Sequence, residues 1–174
     1  QRRHQKVIEE SPAILLNDET RAKLHDVAVK ATKYLKYEGA GTFEFLADDK
    51  QNIFFMEMNT RLQVEHPVSE MVSGIDIVEL MIKVAEGEKV PPQESIKFKG
   101  HAIECRITAE DPNSFLPSPG KVTQWMVPGG RNVRVDSHVY TNYVVPPYYD
   151  SMIGKLIVWG RDRNKAINIM KRAL

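Results

Sequence analysis

Two strand-like runs that must fold back on one another constrain this chain more than any other feature. Residues 41–47 and 52–58 alternate their side chains and are separated by the polar turn Asp48-Asp49-Lys50-Gln51. In the first run Phe43 and Phe45 share one face and Glu44 takes the other. In the second, Phe54, Met56 and Met58 share a face, with Ile53, Phe55, Glu57 and Asn59 opposite. A turn centred between Lys50 and Gln51 sets Glu44 directly across from Glu57. Like charges facing each other destabilise a sheet. Two crowded carboxylates therefore call for a cation, or one must hold a proton. Mg²⁺ suits such a pair, because it takes one or two carboxylates and completes its octahedron with waters and phosphate oxygens. Asn59, one pleat beyond Glu57, offers a neutral oxygen. A solvated sheet face would carry two glutamates equally well, so the pair alone does not decide.

The residues that follow shift the balance. Glu57, Asn59, Arg61, Gln63 and Glu65 alternate without a break. If the segment stays extended, these five polar groups line one surface about 6–7 Å apart. The planar fork of an arginine binds a small oxyanion through two hydrogen bonds. A glutamate two pleats further on is placed to take a proton from that anion. A solvated strand more often uses Lys, Thr and Ser, so a metal site continuous with an oxyanion site is the better reading.

Around this segment the chain reads as an α+β first half and a mostly β second half. Residues 1–10 are a basic, strand-like opening and 11–16 a loop. A helix is expected near 18–37, started by Asn17-Asp18-Glu19-Thr20 and carried by Leu24, Val27, Ala28, Ala31 and Leu35. Apolar residues from Met71 to Val84 predict further helix, interrupted at Gly74 and ended at Gly87. After the Pro91-Pro92-Gln-Glu-Ser boundary come candidate strands at 101–108, 121–127, 131–137 and 151–159, then a helix from about Asn164. A net charge of +1 gives no global case for nucleic acid or an anionic membrane, and no apolar run approaches the roughly 20 residues that span a bilayer. One cysteine, Cys105, excludes an internal disulfide and fits a reducing compartment.

The segment Glu57-Met-Asn-Thr-Arg-Leu-Gln-Val-Glu-His-Pro67 closely resembles the signature of biotin carboxylases, members of the ATP-grasp superfamily. The resemblance continues through Gln1-Arg-Arg-His-Gln-Lys6, Gly39-Ala-Gly-Thr-Phe-Glu-Phe-Leu46, Gly100-His-Ala-Ile-Glu-Cys-Arg106, Phe115-Leu-Pro-Ser-Pro-Gly120 and Pro147-Tyr-Tyr-Asp-Ser151. It covers nearly the whole chain, in order. The fold it implies is α+β. Residues 1–95 would be the C-terminal part of an ATP-grasp domain, built of antiparallel strands plus helices. Residues 96–174 would be a mostly antiparallel β biotin carboxylase C-terminal domain, incomplete at its end. The chain lacks an initiator methionine and stops on an uncapped helical pattern, so it is expected to be a C-terminal piece of a longer protein, inactive by itself.

The resemblance also implies roles. Glu44 and Glu57 would hold the Mg²⁺ (or Mn²⁺) ions that bridge the ATP phosphates, with Asn59 on the second ion. His4 and Gln1 would contact the nucleotide, and Leu46 would pack on the adenine. Lys6, Arg61, Gln63 and the Val64 backbone would bind bicarbonate, which Glu65 would deprotonate. Arg106 would contact bicarbonate and stabilise charge on the biotin ureido oxygen. The implied reaction is carboxylation of biotin with ATP and bicarbonate through carboxyphosphate, the first half-reaction of a cytoplasmic acetyl-CoA carboxylase in bacterial fatty acid synthesis. The implied partners are a biotin carboxyl carrier protein, a carboxyltransferase and a second copy of the full-length chain.

Two alternatives stand beside this: another ATP-grasp ligase that activates a different carboxylate, as carbamoyl-phosphate synthetases do, or a non-catalytic interaction module. The Arg106 block and Pro147-Tyr-Tyr-Asp-Ser151 speak against the first, the intact acidic set against the second. Of the other polar residues, His66 has the wrong parity to join Glu65 and is expected to be a hydrogen-bonded structural histidine. His101 and His138 lack zinc-ligand spacing. Cys105 belongs in the core with Ile103 and Ile107, and Glu104 shares the face of Arg106, where it is placed to orient it. Tyr148-Tyr149-Asp150 is a turn, a substrate edge or a subunit contact.

Overall fold

The computed structural model describes residues 5–174. The expectations for Gln1 and His4 fall outside them. The chain forms two compact units. One is Pro12–Phe98; the other joins Lys99–Leu174 to the N-terminal strand.

In the unit Pro12–Phe98, helix α1 (Asp18–Leu35) begins where Asn17 Oδ1 accepts the Thr20 N–H at 2.8 Å. It ends two residues before the expected Tyr37, because Lys36 turns left-handed at φ 50°. Strands β2 (Thr42–Ala47) and β3 (Ile53–Asn59) form an antiparallel hairpin. Its turn is fastened to the start of α1 by Gln51, whose side chain accepts from Asn17 N (2.9 Å) and donates to Leu15 O (2.8 Å). Helices α2 (His66–Ser73) and α3 (Ile77–Ala85) follow, parted at Gly74, which caps α2 at φ 72°. The chain then leaves helix just before Gly87 (φ 90°).

The hairpin corrects the expected geometry in one respect. Glu44 does pair with Glu57, but the turn is centred on Lys50, with Ala47 opposite Ile53 and Phe45 opposite Phe55. One extra residue, Met56, then restores the Glu44–Glu57 register as a β-bulge. A one-residue shift reverses the faces, so Phe55 points with Phe43 and Phe45, not with Glu57. The ring centroids confirm this, at 6.5 Å for Phe43–Phe55 and 5.7 Å for Phe45–Phe55. Phe54, opposite Leu46, joins the face of the two glutamates instead.

The second unit is a four-stranded antiparallel sheet ordered β1 (Ile8–Ser11), β4 (His101–Thr108), β8 (Met152–Gly160), β6 (Val133–Asp136). Helix α4 (Arg163–Ala173), capped by Asp162 through Lys165 N, covers one face. There Ile103, Cys105, Leu156 and Val158 pack on Ala166, Ile169 and Met170. Burial pushes the Cys105 thiol up from its ordinary range, with Glu9 and Glu104 adding to the effect, as suits a core residue. The expected strand 121–127 shrinks to β5 (Gly120–Lys121), paired with an unexpected β7 (Val144–Val145). Val122 still bonds the facing chain through Val122 N→Tyr143 O (2.8 Å) and Asn142 N→Val122 O (2.7 Å), but Asn142 turns left-handed at φ 76° and ends the pairing. Further on, Trp125 N bonds the Thr141 hydroxyl (3.2 Å) instead of a strand.

The step from β8 into α4 needs glycine at position 160 for want of space. A Cβ there would collide with the Ala166 backbone nitrogen and lie 2.9 Å from Asp162 O. Neither atom can move without unpacking the helix. Gly160→Ala in the full-length protein should therefore cost about 1–3 kcal/mol, read as a lower denaturation midpoint; an unchanged midpoint would contradict the close approach.

Candidate functional site

The glutamate-bearing face of the hairpin carries Thr42, Glu44 and Leu46 from β2 and Phe54, Glu57 and Asn59 from β3, paired by the register. The two carboxylates converge. Asn59 Nδ2 donates to Glu44 Oε1 and to Glu57 Oε1, each at 3.0 Å. One amide N–H₂ thus sits where two negative groups need a positive one. Rotating the amide by half a turn would present Oδ1 at the same place and gather three oxygens around one point. Glu44 Oε1 also accepts from Gln63 Nε2 at 2.5 Å. Leu46 and Phe54, both more than half exposed, continue this face as an apolar surface beside the acids.

Beyond Asn59 the structure departs from the extended surface that the alternation predicted. Strand β3 ends at Asn59, and 60–65 bends and turns before α2 begins at His66. Pro67 in the first turn of α2 sets where helix must start, and the hydrogen bonds His66 N→Gln63 O (3.3 Å) and Val68 N→Glu65 O (3.3 Å) curl the chain into it. Arg61 and Glu65 are therefore placed by a turn, not by pleat spacing. Arg61 is exposed, with NH2 3.4 Å from Asn59 Oδ1 and NH1 3.3 Å from Leu62 O. Glu65 is half-buried at the N-cap of α2, and its carboxylate does not cap the helix. Gln63 is buried, and its Oε1 finds no hydrogen-bond partner among the described residues. A buried amide oxygen left open in this way costs free energy unless a ligand uses it.

The sequence did not single out what holds this turn. His66 Nδ1 bonds Gln63 O at 2.7 Å, and its Nε2 lies 4.0 Å from Glu70 Oε1. The expectation of a hydrogen-bonded histidine holds. Glu70, buried and one helical turn on, went unnoticed, although the i, i+4 spacing from His66 was legible.

Lys6 and Arg106 belong to the other unit. Lys6 is half-buried just before β1. Arg106 on β4 bonds Val7 O through its backbone N–H (3.0 Å), and Glu9 Oε1 accepts from its Nε (2.7 Å) and NH2 (2.6 Å). Glu104, fully buried, stands directly across from Glu9 in the ladder. Glu9 is thus the carboxylate bonded to Arg106. Its partner is 97 residues away along the chain, a separation no local pattern reveals.

Among the described residues no group of three or more His, Cys, Asp or Glu side chains gathers as a metal nest. Two carboxylates and an amide could instead serve as the sparse donor set that a hard cation takes when phosphate oxygens complete its shell. No helix of the described residues is long and apolar enough to cross a membrane.

An antiparallel hairpin with paired acids, followed by a separate antiparallel sheet, defines a class, and the comparisons with known proteins agree. Residues 1–93 match the family described as carbamoyl-phosphate synthase L chain, ATP binding domain, and residues 104–174 match the biotin carboxylase C-terminal domain. The chain belongs to the biotin carboxylase family. It is 56% identical to the biotin carboxylase of Nostoc sp. over 100% of its length and 39% of that protein. It is also 56% identical to a pyruvate carboxylase subunit of Methanothermobacter thermautotrophicus, over 100% of its length and 36% of that protein. A Campylobacter jejuni biotin carboxylase solved as a β-γ-ATP complex superposes with a TM-score of 0.96 at 69% identity, covering 99% of this chain and 39% of that one. The biotin carboxylase domain dimer of Hydrogenobacter thermophilus 2-oxoglutarate carboxylase, solved with MgADP, ADP and bicarbonate, superposes at 0.96 and 49% identity, covering 99% and 39%. The chain thus spans about two fifths of the length of the relatives it matches.

Proposed function

We propose that the full-length protein carboxylates carrier-bound biotin at the expense of MgATP and bicarbonate, and that this chain supplies its metal-binding acids and its bicarbonate base. The observation that carries the reading is the convergence of Glu44 and Glu57 on one amide, with the buried Gln63 reaching back to Glu44. Glu44, Glu57 and Asn59 would hold Mg²⁺, which would offset charge on the ATP phosphates when bound. Leu46 packs on the adenine, and His4 and Gln1 contact the nucleotide. Lys6, Arg61, Gln63 and the Val64 backbone bind bicarbonate.

In the reaction Glu65 takes the bicarbonate proton. The oxyanion attacks the γ-phosphorus and the bond to ADP breaks, giving carboxyphosphate. Loss of CO₂ releases phosphate, which takes the biotin N1′ proton, and the nitrogen attacks CO₂. Arg106, oriented by Glu9, stabilises the ureido oxygen as it gains charge.

The finer reading is a homodimeric, cytoplasmic subunit that serves acetyl-CoA carboxylase with a carrier protein and a carboxyltransferase. It is supported by the likeness to biotin carboxylases named as such. The equal likeness to a pyruvate carboxylase subunit makes pyruvate the rival acceptor. The full-length protein, given MgATP, should release ADP only when bicarbonate is present, and free biotin should speed that release by consuming carboxyphosphate. ADP release indifferent to biotin would favour a ligase for another carboxylate, and no heat on titrating MgADP would favour a non-catalytic module.

A further inference from the structure

The bicarbonate-binding turn is held from outside by a pair of residues that the reaction does not use. Residues 60–65 form neither strand nor helix, yet Gln63 must stay buried with its amide on Glu44. Its main chain is fixed at the carbonyl, which accepts two hydrogen bonds, one from His66 N (3.3 Å) and one from His66 Nδ1 (2.7 Å). A carbonyl oxygen only accepts, so Nδ1 carries a proton. The ring's other nitrogen faces Glu70 Oε1 at 4.0 Å, and that same oxygen accepts the Ile77 N–H, the first of α3, at 2.8 Å. Both side chains are mostly buried, at 14% and 8% exposure, so neither is a surface pair whose geometry drifts with solvent. Glu65 lies between the two residues that the ring ties together.

We propose that His66, steadied by Glu70, is a positioning residue for the bicarbonate step: it fixes the Gln63–Glu65 peptides so that the amide of Gln63 and the carboxylate of Glu65 are presented to the anion. This rests on the function proposed above. The metal acids have the hairpin ladder and Asn59 to fix them besides the Gln63 amide on Glu44, so the effect of His66 falls chiefly on bicarbonate.

The test uses three variants of the full-length protein. An asparagine Nδ2 can occupy the place of Nδ1, whereas glutamine reaches the place of Nε2 and alanine reaches neither. His66→Ala and His66→Gln should raise the KM for bicarbonate at least about tenfold, given how steeply rate falls with misplacement of reacting groups. The KM for MgATP should stay within about twofold, and His66→Asn should restore most of the loss. A bicarbonate KM unmoved by His66→Ala, an Asn variant as impaired as Ala, or bicarbonate and MgATP constants rising together would each overturn the proposal. Amide hydrogen exchange across Gln63–His66 reads the same contact without turnover: it should quicken in His66→Ala and not in His66→Asn. Wild-type protein without bicarbonate-dependent ATP cleavage would sink the functional reading, while unchanged exchange in His66→Ala would sink the positioning role. Should His66→Ala fail to fold, Glu70→Gln keeps an acceptor for Ile77 N and loses the charge facing the ring. It should raise the bicarbonate KM a few-fold, and an unchanged value would count against the pair.

Discussion

Replacing Glu65 by glutamine in the full-length protein is expected to lower bicarbonate-dependent ATP cleavage by about 10²–10⁴-fold, the usual contribution of a positioned general base, with nucleotide binding retained. The amide keeps the size of the side chain and removes its negative charge and its ability to take a proton. Nothing in the helix compensates, because the Glu65 carboxylate does not cap α2, so its loss should not disturb the start of that helix. The acids on the hairpin are held by their own strand pairing and by Asn59. MgADP should therefore bind the variant as it binds the wild type. Single-turnover ADP release at saturating MgATP, with and without bicarbonate, measures the effect. Unchanged turnover would take the base role away from Glu65, and a parallel loss of MgADP affinity would mean that the residue works on the nucleotide.

How much of this was legible in the sequence depends on the range of the forces involved. The Glu44–Glu57 pairing agrees with the alternation and the short polar turn, but the turn is centred on Lys50 and only the bulge at Met56 brings the two acids into register. The faces of Phe54 and Phe55 were read in reverse because Met56 is bulged. In a run of apolar residues such as Ile53-Phe-Phe-Met56, no chemistry marks which one leaves the ladder. The segment 57–65 alternates like a strand, but that period holds only as far as Asn59. Pro67 was the signal that the chain had to turn first. The bonds that fix the turn, from Gln63 to Glu44 and from His66 to Gln63, depend on side-chain reach and not on period. In the second unit β4 was plain, but the Glu9–Arg106 bond spans most of the chain. β7 is too short to carry a pattern of its own.

A second substitution separates a metal site from a mere crowding of acids by the sign of two effects. Glu57→Gln removes one of two carboxylates that face each other across the ladder and share a single amide donor. The new side chain still offers an oxygen to Asn59. If the pair were only structural, the charge removed would relieve repulsion and alter nothing else. With a cation between the acids, the two readouts move in opposite directions. The hairpin gains stability, by about 0.2–1 kcal/mol for a like-charged cross-strand pair. The Mg²⁺ needed to support ADP binding rises by at least the roughly 10–100-fold that disturbing a metal ligand's own hydrogen-bond partner costs. Calorimetric titration of Mg²⁺ at fixed ADP and a denaturation curve of the same full-length variant give both signs. Wild-type Mg²⁺ dependence in Glu57→Gln would leave the convergence of the two acids without a ligand to explain it.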